Sequence, residues 1–247
     1  MFQALTRAGY QVEYTSHAQA ILKTDFPDCA TELERALADF KIPVLELVES
    51  GGGEARATQR LRGKLTDLSW RKRNVTIRKT VDGVEKEAIS HEIDHVRKYE
   101  HGDIALEIEW NNKDPFFDRD LENFKRLHGE GVFSVGVIIT RGESLQAGFR
   151  DRIAEFATRR RAAGFDAFQA INYRPTERFQ RDVLARVAAG RPFAEAWSSL
   201  FCSDKYGEAT THWRKLMDRV HRGVGNPCPM VLIGIPIGVV EPEAAAP

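Results

Sequence analysis

Residues 91–113 read HEIDHVRKYEHGDIALEIEWNNK, and the fold turns on whether this stretch is a helix or two strands. Read as strands, it reverses near Glu100, His101 and Gly102, with one arm through Asp94 and the other through Ala105 to Trp110. Antiparallel pairing about that turn sets Asp94 opposite Glu107 or Glu109, depending on whether the turn centres one residue earlier or later. Side chains alternate along a strand, so Glu107 and Glu109 share a face and Ile108 points the other way. All three acids can then meet.

Read as a helix, His91, Glu92 and His95 form H-E-x-x-H, and His101 follows six residues later. Two histidines four apart would share a helix face and bind zinc, with Glu92 as base, as in metalloproteases. Val84, Ala88, Ile89, Ile93 and Val96 fall near helical spacing, so periodicity leans toward helix. Against it, Lys98 stands where metzincin proteases need glycine to bring the third histidine round, and neither Met217 nor Met230 belongs to a Met-turn. The strand reading is adopted.

Carboxylates that converge without balancing arginines repel one another unless a cation lies between them. Hard oxygen donors favour Mg²⁺, with Mn²⁺ as substitute, over zinc. Such a site binds metal and substrate phosphate together, lowers the pKa of a bound water and steadies the leaving oxygen. Lys113, four residues beyond Glu109, is a candidate for offsetting developing charge.

The rest of the chain sets the context. Its 247 residues, 42% of them hydrophobic, suffice for one sizeable core. A single α/β domain over 1–247 is expected: a mainly helical part to 72, a catalytic sheet core over 73–140, helices and a last strand over 141–240, and a loose tail over 241–247. No apolar run is long enough to span a membrane, because 228–240 is interrupted by Pro229 and Pro236. The amino terminus lacks a basic region followed by an apolar stretch, so a cytoplasmic location is expected. Three widely spaced cysteines, Cys29, Cys202 and Cys228, argue against a disulfide framework or a CxxC zinc site.

Lysine plus arginine and aspartate plus glutamate both number 36, so the formal net charge is zero. Distribution matters more than the sum. Arg56, Arg60, Arg62, Lys64, Arg71, Lys72, Arg73, Arg78 and Lys79 are opposed within their interval only by Asp67. A second group, Arg214, Lys215, Arg219 and Arg222, follows Thr210, Thr211 and His212. Such clusters are the electrostatic footprint of a nucleic-acid surface.

Local signals supply the remaining elements. Residues 16–40 read as helix interrupted at Phe26 and Pro27, with Asp28 as N-cap of a Leu33, Leu37, Phe40 stripe. Gly51, Gly52 and Gly53 make a flexible joint, and 54–70 reads as helix. Val75, Thr76 and Ile77 form a strand ending at an Asp82-Gly83 turn. Asp114 followed by Pro115 signals a helix start, with Asp118 and Asp120 as solvated acids near its N-terminus. The apolar run 132–140 reads as a central strand.

The residues EIDHVRKYEHGDIALEIEWNNKDPFFDRDLENFKRLH (92–128), SVGVIITRG (134–142) and GNPCPMVLIGI (225–235) resemble the type II restriction endonucleases of the BglII and BamHI kind. The resemblance implies the PD-(D/E)xK nuclease fold, a central mixed β-sheet flanked by helices. It implies a homodimer that hydrolyses both strands of a short palindromic DNA site with Mg²⁺, such as a GATC-containing hexamer, beside a partner DNA methyltransferase. Carried over by position, Asp94 and Glu107 are metal-binding acids, and Ile108 and Glu109 are counted with them. Two departures stand out: Ile93 replaces the motif's proline, and Glu109 replaces its lysine. Glutamate at that place is similar to BamHI, and leaves ligand, general base and water-positioner open as roles. Asn111, Asn112 and Lys113 would lie against the DNA, since Asn pairs with adenine edges and basic side chains with guanine or phosphate. Thr210, Thr211, His212 and Lys215, in a segment that resembles the family's ATTHWRKL stretch, are further DNA-contact candidates, as is Arg141, which follows the Ile138-Ile139-Thr140 strand. The rival from another class is a DNA-binding protein of the same fold that does not hydrolyse.

Overall fold

Val84–Tyr99 is a β-strand along its whole length, so the helical spacing within it is overridden by hydrogen bonding to strands on both sides. The computed structural model describes residues 1–51 and 53–243, and of 86–89 the backbone alone. Gly52 of the expected joint and 244–247 of the expected tail lie outside it.

In chain order the elements are α1 (Gln3–Arg7), β1 (Gln11–Thr15), α2 (Ala18–Asp25), α3 (Pro27–Ala38), β2 (Ile42–Pro43), α4 (Val44–Val48), α5 (Arg56–Asp67), β3 (Arg71–Val81), β4 (Val84–Tyr99), β5 (Gly102–Glu109), α6 (Phe116–Gly129), β6 (Val135–Arg141), α7 (Glu143–Arg159), α8 (Glu177–Ala188), α9 (Phe193–Tyr206), α10 (Trp213–His221), β7 (Met230–Ile235) and β8 (Val240–Glu241).

The main sheet runs β1-β7-β6-β5-β4-β3. Strands β5, β6 and β7 are mutually parallel, and the outer pairings are antiparallel. This is the mixed sheet flanked by helices of the restriction-endonuclease-like fold. Every residue of β6 is buried, as a central parallel strand covered on both faces requires. One face packs Ile104, Leu106, Val137 and Ile139 against α3, α5, α7 and α9. The other packs Ala105, Ile138 and Leu232 against Phe117, Leu121 and Phe124 of α6 and Leu216 of α10.

Several local expectations change in detail. Helix α5 starts two residues later than expected and ends at Asp67. Helix α3 begins with Pro27 at its first position, so Asp28 lies inside the first turn, where its charge favours the helix N-terminus without capping it. Asp114 does not cap α6; its carboxylate pairs with Lys215 and Arg219, each at 3.5 Å. The chain beyond 240 is held at its start, because Val240 and Glu241 pair with Ile42 and Pro43 and Glu243 pairs with Arg160.

The hairpin signals act as read. Asp82 and Gly83 both have positive φ, 50° and 79°, the geometry that joins β3 to β4. At the β4–β5 turn Gly102 has φ 141°, and a Cβ there would stand 2.6 Å from Ser134 Oγ. Glycine is required at that corner.

Candidate active site

The β4–β5 register runs from Tyr99 opposite Gly102 to His95 opposite Leu106. One further step along this ladder sets Asp94 opposite Glu107, which decides between the two pairings the sequence left open. The main-chain N–H of Asp94 donates to Glu107 Oε1 at 3.4 Å.

On its other side β4 is irregular. Arg73 pairs with Ile93 and Arg71 with Val96, so Asp94 and His95 together oppose Lys72. This is a β-bulge, which breaks alternation and re-aims side chains. As a result Ile93 and Val96, three residues apart, both enter the core beneath α6. Asp94 is left half-exposed, its Oδ1 3.7 Å from Lys72 Nζ, and Lys72 also reaches Glu92 at 2.6 Å. His95 is buried with Nδ1 3.3 Å from the Leu106 carbonyl. Burial holds its pKa below the usual histidine range. A buried strand histidine of this kind does not make the helical zinc site that H-E-x-x-H would require.

Glu107 and Glu109 point toward α6 and are 5% and 3% exposed. There they meet an acid that the sequence reading assigned to the helix surface. Asp120 is 1% exposed and lies within hydrogen-bonding reach of the Glu109 carboxyl. Burial, then the charges of Asp120 and Asp94, hold the Glu107 carboxyl well above the usual range. Burial, then the hydrogen bond and charge of Asp120, push Glu109 up to about 9. Arg119 caps this group, with its guanidinium 2.8 Å from Asp120 Oδ1 and 3.6 Å from Glu109 Oε1. Asn112 Nδ2 donates to Glu109 Oε2 at 2.7 Å.

The expected gathering of Asp94, Glu107 and Glu109 is therefore split. Asp94 turns toward Lys72 at the bulge, while the two glutamates turn toward Asp120. Among the described residues no three His, Cys, Asp or Glu side chains converge tightly enough to hold a metal ion. The donor set still fits a divalent cation. It is all hard oxygen, it carries excess negative charge in a buried place, and Asp120 Oδ2 is buried with no hydrogen-bond partner. Ile108 turns its side chain to the opposite core, so only its main chain could offer a donor.

The two stretches singled out for DNA contact lie side by side. Thr211 N–H donates to the Asn112 carbonyl at 2.9 Å, Asn112 N–H donates to Thr211 Oγ1 at 3.2 Å, and Lys113 bridges to Thr210. Three of these residues are interior rather than on the surface. Arg141 is fully buried and donates to the Thr211 carbonyl at 3.0 and 2.6 Å and to Thr210 Oγ1 at 2.5 Å. Its guanidinium lies over the Phe149 and Tyr206 rings, and burial pulls its pKa down to about 10. Thr211 is consumed in the same junction, and His212 is 1% exposed with its pKa pushed down to about 4 by burial and by Arg141. A base or phosphate contact from these three is replaced by a role in fixing the 210–213 corner. Lys113 is exposed and Asn111, Thr210 and Lys215 are partly so.

Beside Asp94 opens a cleft of about 770 Å³ lined by residues including Arg56, Arg62, His95, Asn111 and Asn112. The α5 arginines there are less free than the local charge count suggested. Arg56 pairs with Glu49, Arg60 with Glu46 and Arg62 with Glu54, acids contributed by the preceding segment.

Asp120 was legible in principle. It falls in phase with Phe117, Leu121, Phe124 and Leu127, the buried stripe of α6, and an acid on a buried stripe is a functional signal. Asp118, two residues earlier and so on the opposite side of the helix, is the surface acid, paired with Arg219 at 2.8 Å.

With the acids, the sheet and the hairpin in place, the family comparison decides the class. The model of the restriction endonuclease BglII/BglIII family matches residues 10–235, nearly the whole chain. The chain belongs to the BglII restriction endonuclease family. A comparison with curated proteins gave no match. As a BglII-family member the chain is a site-specific deoxyribonuclease of the type II class, acting on phosphodiester bonds of double-stranded DNA. BglII-family enzymes work with divalent metal ions, which agrees with the all-oxygen donor set at β5 and α6. Among the described residues no helix is long and apolar enough to cross a membrane.

Proposed function

We propose that this nuclease cuts both strands of a short palindromic site, a GATC-containing hexamer, in a Mg²⁺-dependent reaction that leaves 5′-phosphate and 3′-hydroxyl ends. Asp94, Glu107 and the Ile108 main chain would hold the cation, with Mn²⁺ as a working substitute. When bound, the cation supplies Lewis-acid polarisation of the phosphate and a more acidic water. Glu109 would position the attacking water or accept its proton; in the metal-free site burial and Asp120 favour its protonated form, and that proton would leave to solvent when a cation binds. Asn112 fixes Glu109 by its 2.7 Å hydrogen bond. Lys72 and Arg119, the cations beside the acids, restrain them between turnovers.

Lys113, Asn111 and Lys215, at the rim of the 111–113 and 210–215 junction, meet the DNA backbone and base edges. A homodimer places two such sites on a two-fold related pair of strands, and a methyltransferase of matching specificity protects the host site in the cytoplasm. The observation that carries this reading is the pairing of Asp94 with Glu107 across β4 and β5, with the Glu109 carboxyl buried two residues on.

Incubating plasmid DNA with the protein and Mg²⁺, or with EDTA, tests it. Discrete fragments in Mg²⁺ alone, with 5′-phosphate ends that read back to one palindrome, are the expected result. Retardation of the DNA without cutting would mean a binder that has lost hydrolysis.

A further inference from the structure

Asp120 is not used by the reaction outlined above, yet it is the most deeply buried acid beside it. At 1% exposure it sits on the α6 stripe otherwise made of Phe117, Leu121 and Phe124. Arg119 satisfies Oδ1, and Oδ2 is buried without a partner. Its carboxylate lies against Glu109, and its charge also acts on Glu107. A buried carboxylate oxygen with no donor costs about 1–3 kcal/mol or more in a purely structural role. A protein core would relieve that cost with an apolar or amide side chain. Beside Glu109 this oxygen can be satisfied in two ways, by a proton shared with the Glu109 carboxyl in the metal-free site or by a cation in its place.

We propose that Asp120 is an additional oxygen donor of the cation site, presented from α6, so that the site is built from the β4–β5 hairpin on one side and a helix on the other. The proposal rests on the reading of Asp94 and Glu107 as metal-holding acids. Asp120 Oδ2 would be the donor while Oδ1 stays on Arg119, and the 3.6 Å contact of Arg119 with Glu109 would open to admit the cation. The exposed Arg119 side chain, lying over the Phe116 ring, has room to make that move. The other charged or titratable groups felt from this corner are His91 on β4 and Arg126 on α6. Neither is a carboxylate that could take the place of Asp120.

The test is Mn²⁺ binding without DNA, followed by the electron paramagnetic resonance signal of the free ion and by the rise in melting temperature that Mn²⁺ causes. Asp120→Asn and Asp120→Ala are expected to weaken Mn²⁺ affinity by ~10-fold or more and to shrink the Mn²⁺-induced rise. Asp118→Asn, on the same helix but paired with Arg219, is expected to bind as the parent does. A merely structural Asp120 would lower melting temperature equally with and without Mn²⁺ and leave affinity untouched, which overturns the proposal. If Asp94→Asn and Glu107→Gln lose Mn²⁺ while the Asp120 variants keep it, Asp120 alone is wrongly placed. If none of these variants changes Mn²⁺ binding, or the parent binds none, the reading of the hairpin acids fails with it.

Discussion

The amide of Asp94 donates to the carboxylate of Glu107 across β4 and β5. The bond is long, at 3.4 Å, and it ties the bulged residue to the buried acid through the main chain, while the Asp94 carboxylate lies at the surface beside Lys72. Substituting the Asp94 side chain therefore removes a charge without removing the tie.

Asp94→Asn is expected to lower cleavage by ~10² or more while specific DNA binding stays measurable by gel retardation. Glu107→Gln should behave in the same way, since the amide oxygen can still accept from Asp94 N–H. A cleavage rate near that of the parent for either variant would remove that residue from the chemistry.

Arg141 gives a contrasting prediction. Its guanidinium holds the Thr211 carbonyl and the Thr210 hydroxyl from inside the fold. Arg141→Ala leaves that carbonyl unsatisfied and should cost about 2–3 kcal/mol of stability in urea unfolding. Arg141→Lys cannot make the same forked contact and should recover little of it. The slope of DNA affinity against salt should not change, because no phosphate contact is lost. A shallower slope with unchanged stability would put Arg141 on the DNA after all.

These two residues also mark what the sequence could and could not reveal. The strands were legible from β-branched runs, turn residues and alternation, and β6 from its unbroken apolar content. The β4–β5 pairing was legible to within one residue. The bulge at Asp94 and His95 was not, because it arises from pairing with β3, more than twenty residues away in sequence. It is also why helical spacing misleads in this stretch: Ile93 and Val96 share a core face through the bulge. Arg141 ends an apolar strand, and nothing local says whether such an arginine turns inward. The Thr210–Thr211 corner that receives it is brought close by tertiary packing alone. Asp120 is the reverse case, since its phase with Phe117, Leu121 and Phe124 was present in the sequence.

Gly102 sets the hairpin register on which the acid pairing depends. Gly102→Ala would place a Cβ at φ 141° and 2.6 Å from Ser134 Oγ. The backbone must shift or the turn must open, at a cost of more than ~1 kcal/mol. The expected result is a lower melting temperature together with weaker cleavage. Gly102→Ala combined with Ser134→Gly should recover part of the stability, by removing the clash but not the strained φ. An unchanged melting temperature in the single variant would mean that the corner is slack.

The buried acids predict how stability changes with pH. Glu109 is shifted from an ordinary 4.5 to about 9, and Glu107 is raised well above 4.5, both first by burial and then by neighbouring acids. The folded state therefore holds these protons more tightly than the unfolded chain does. Their contribution is fully present below about 4.5 and is lost as pH rises through the interval up to about 9. Without metal, melting temperature should fall across that window, and the fall should be smaller in Glu109→Gln, which has no proton to lose. Mg²⁺ held by Glu107 and lying beside Glu109 disfavours the protons on both, so the melting temperature it restores should be larger at pH 8.5 than at pH 5.5. Differential scanning calorimetry at both pH values, with Mg²⁺ and with EDTA, measures this. A Mg²⁺ effect equal at the two pH values, or unchanged in Glu109→Gln, would show that the cation does not share a site with these carboxyl groups.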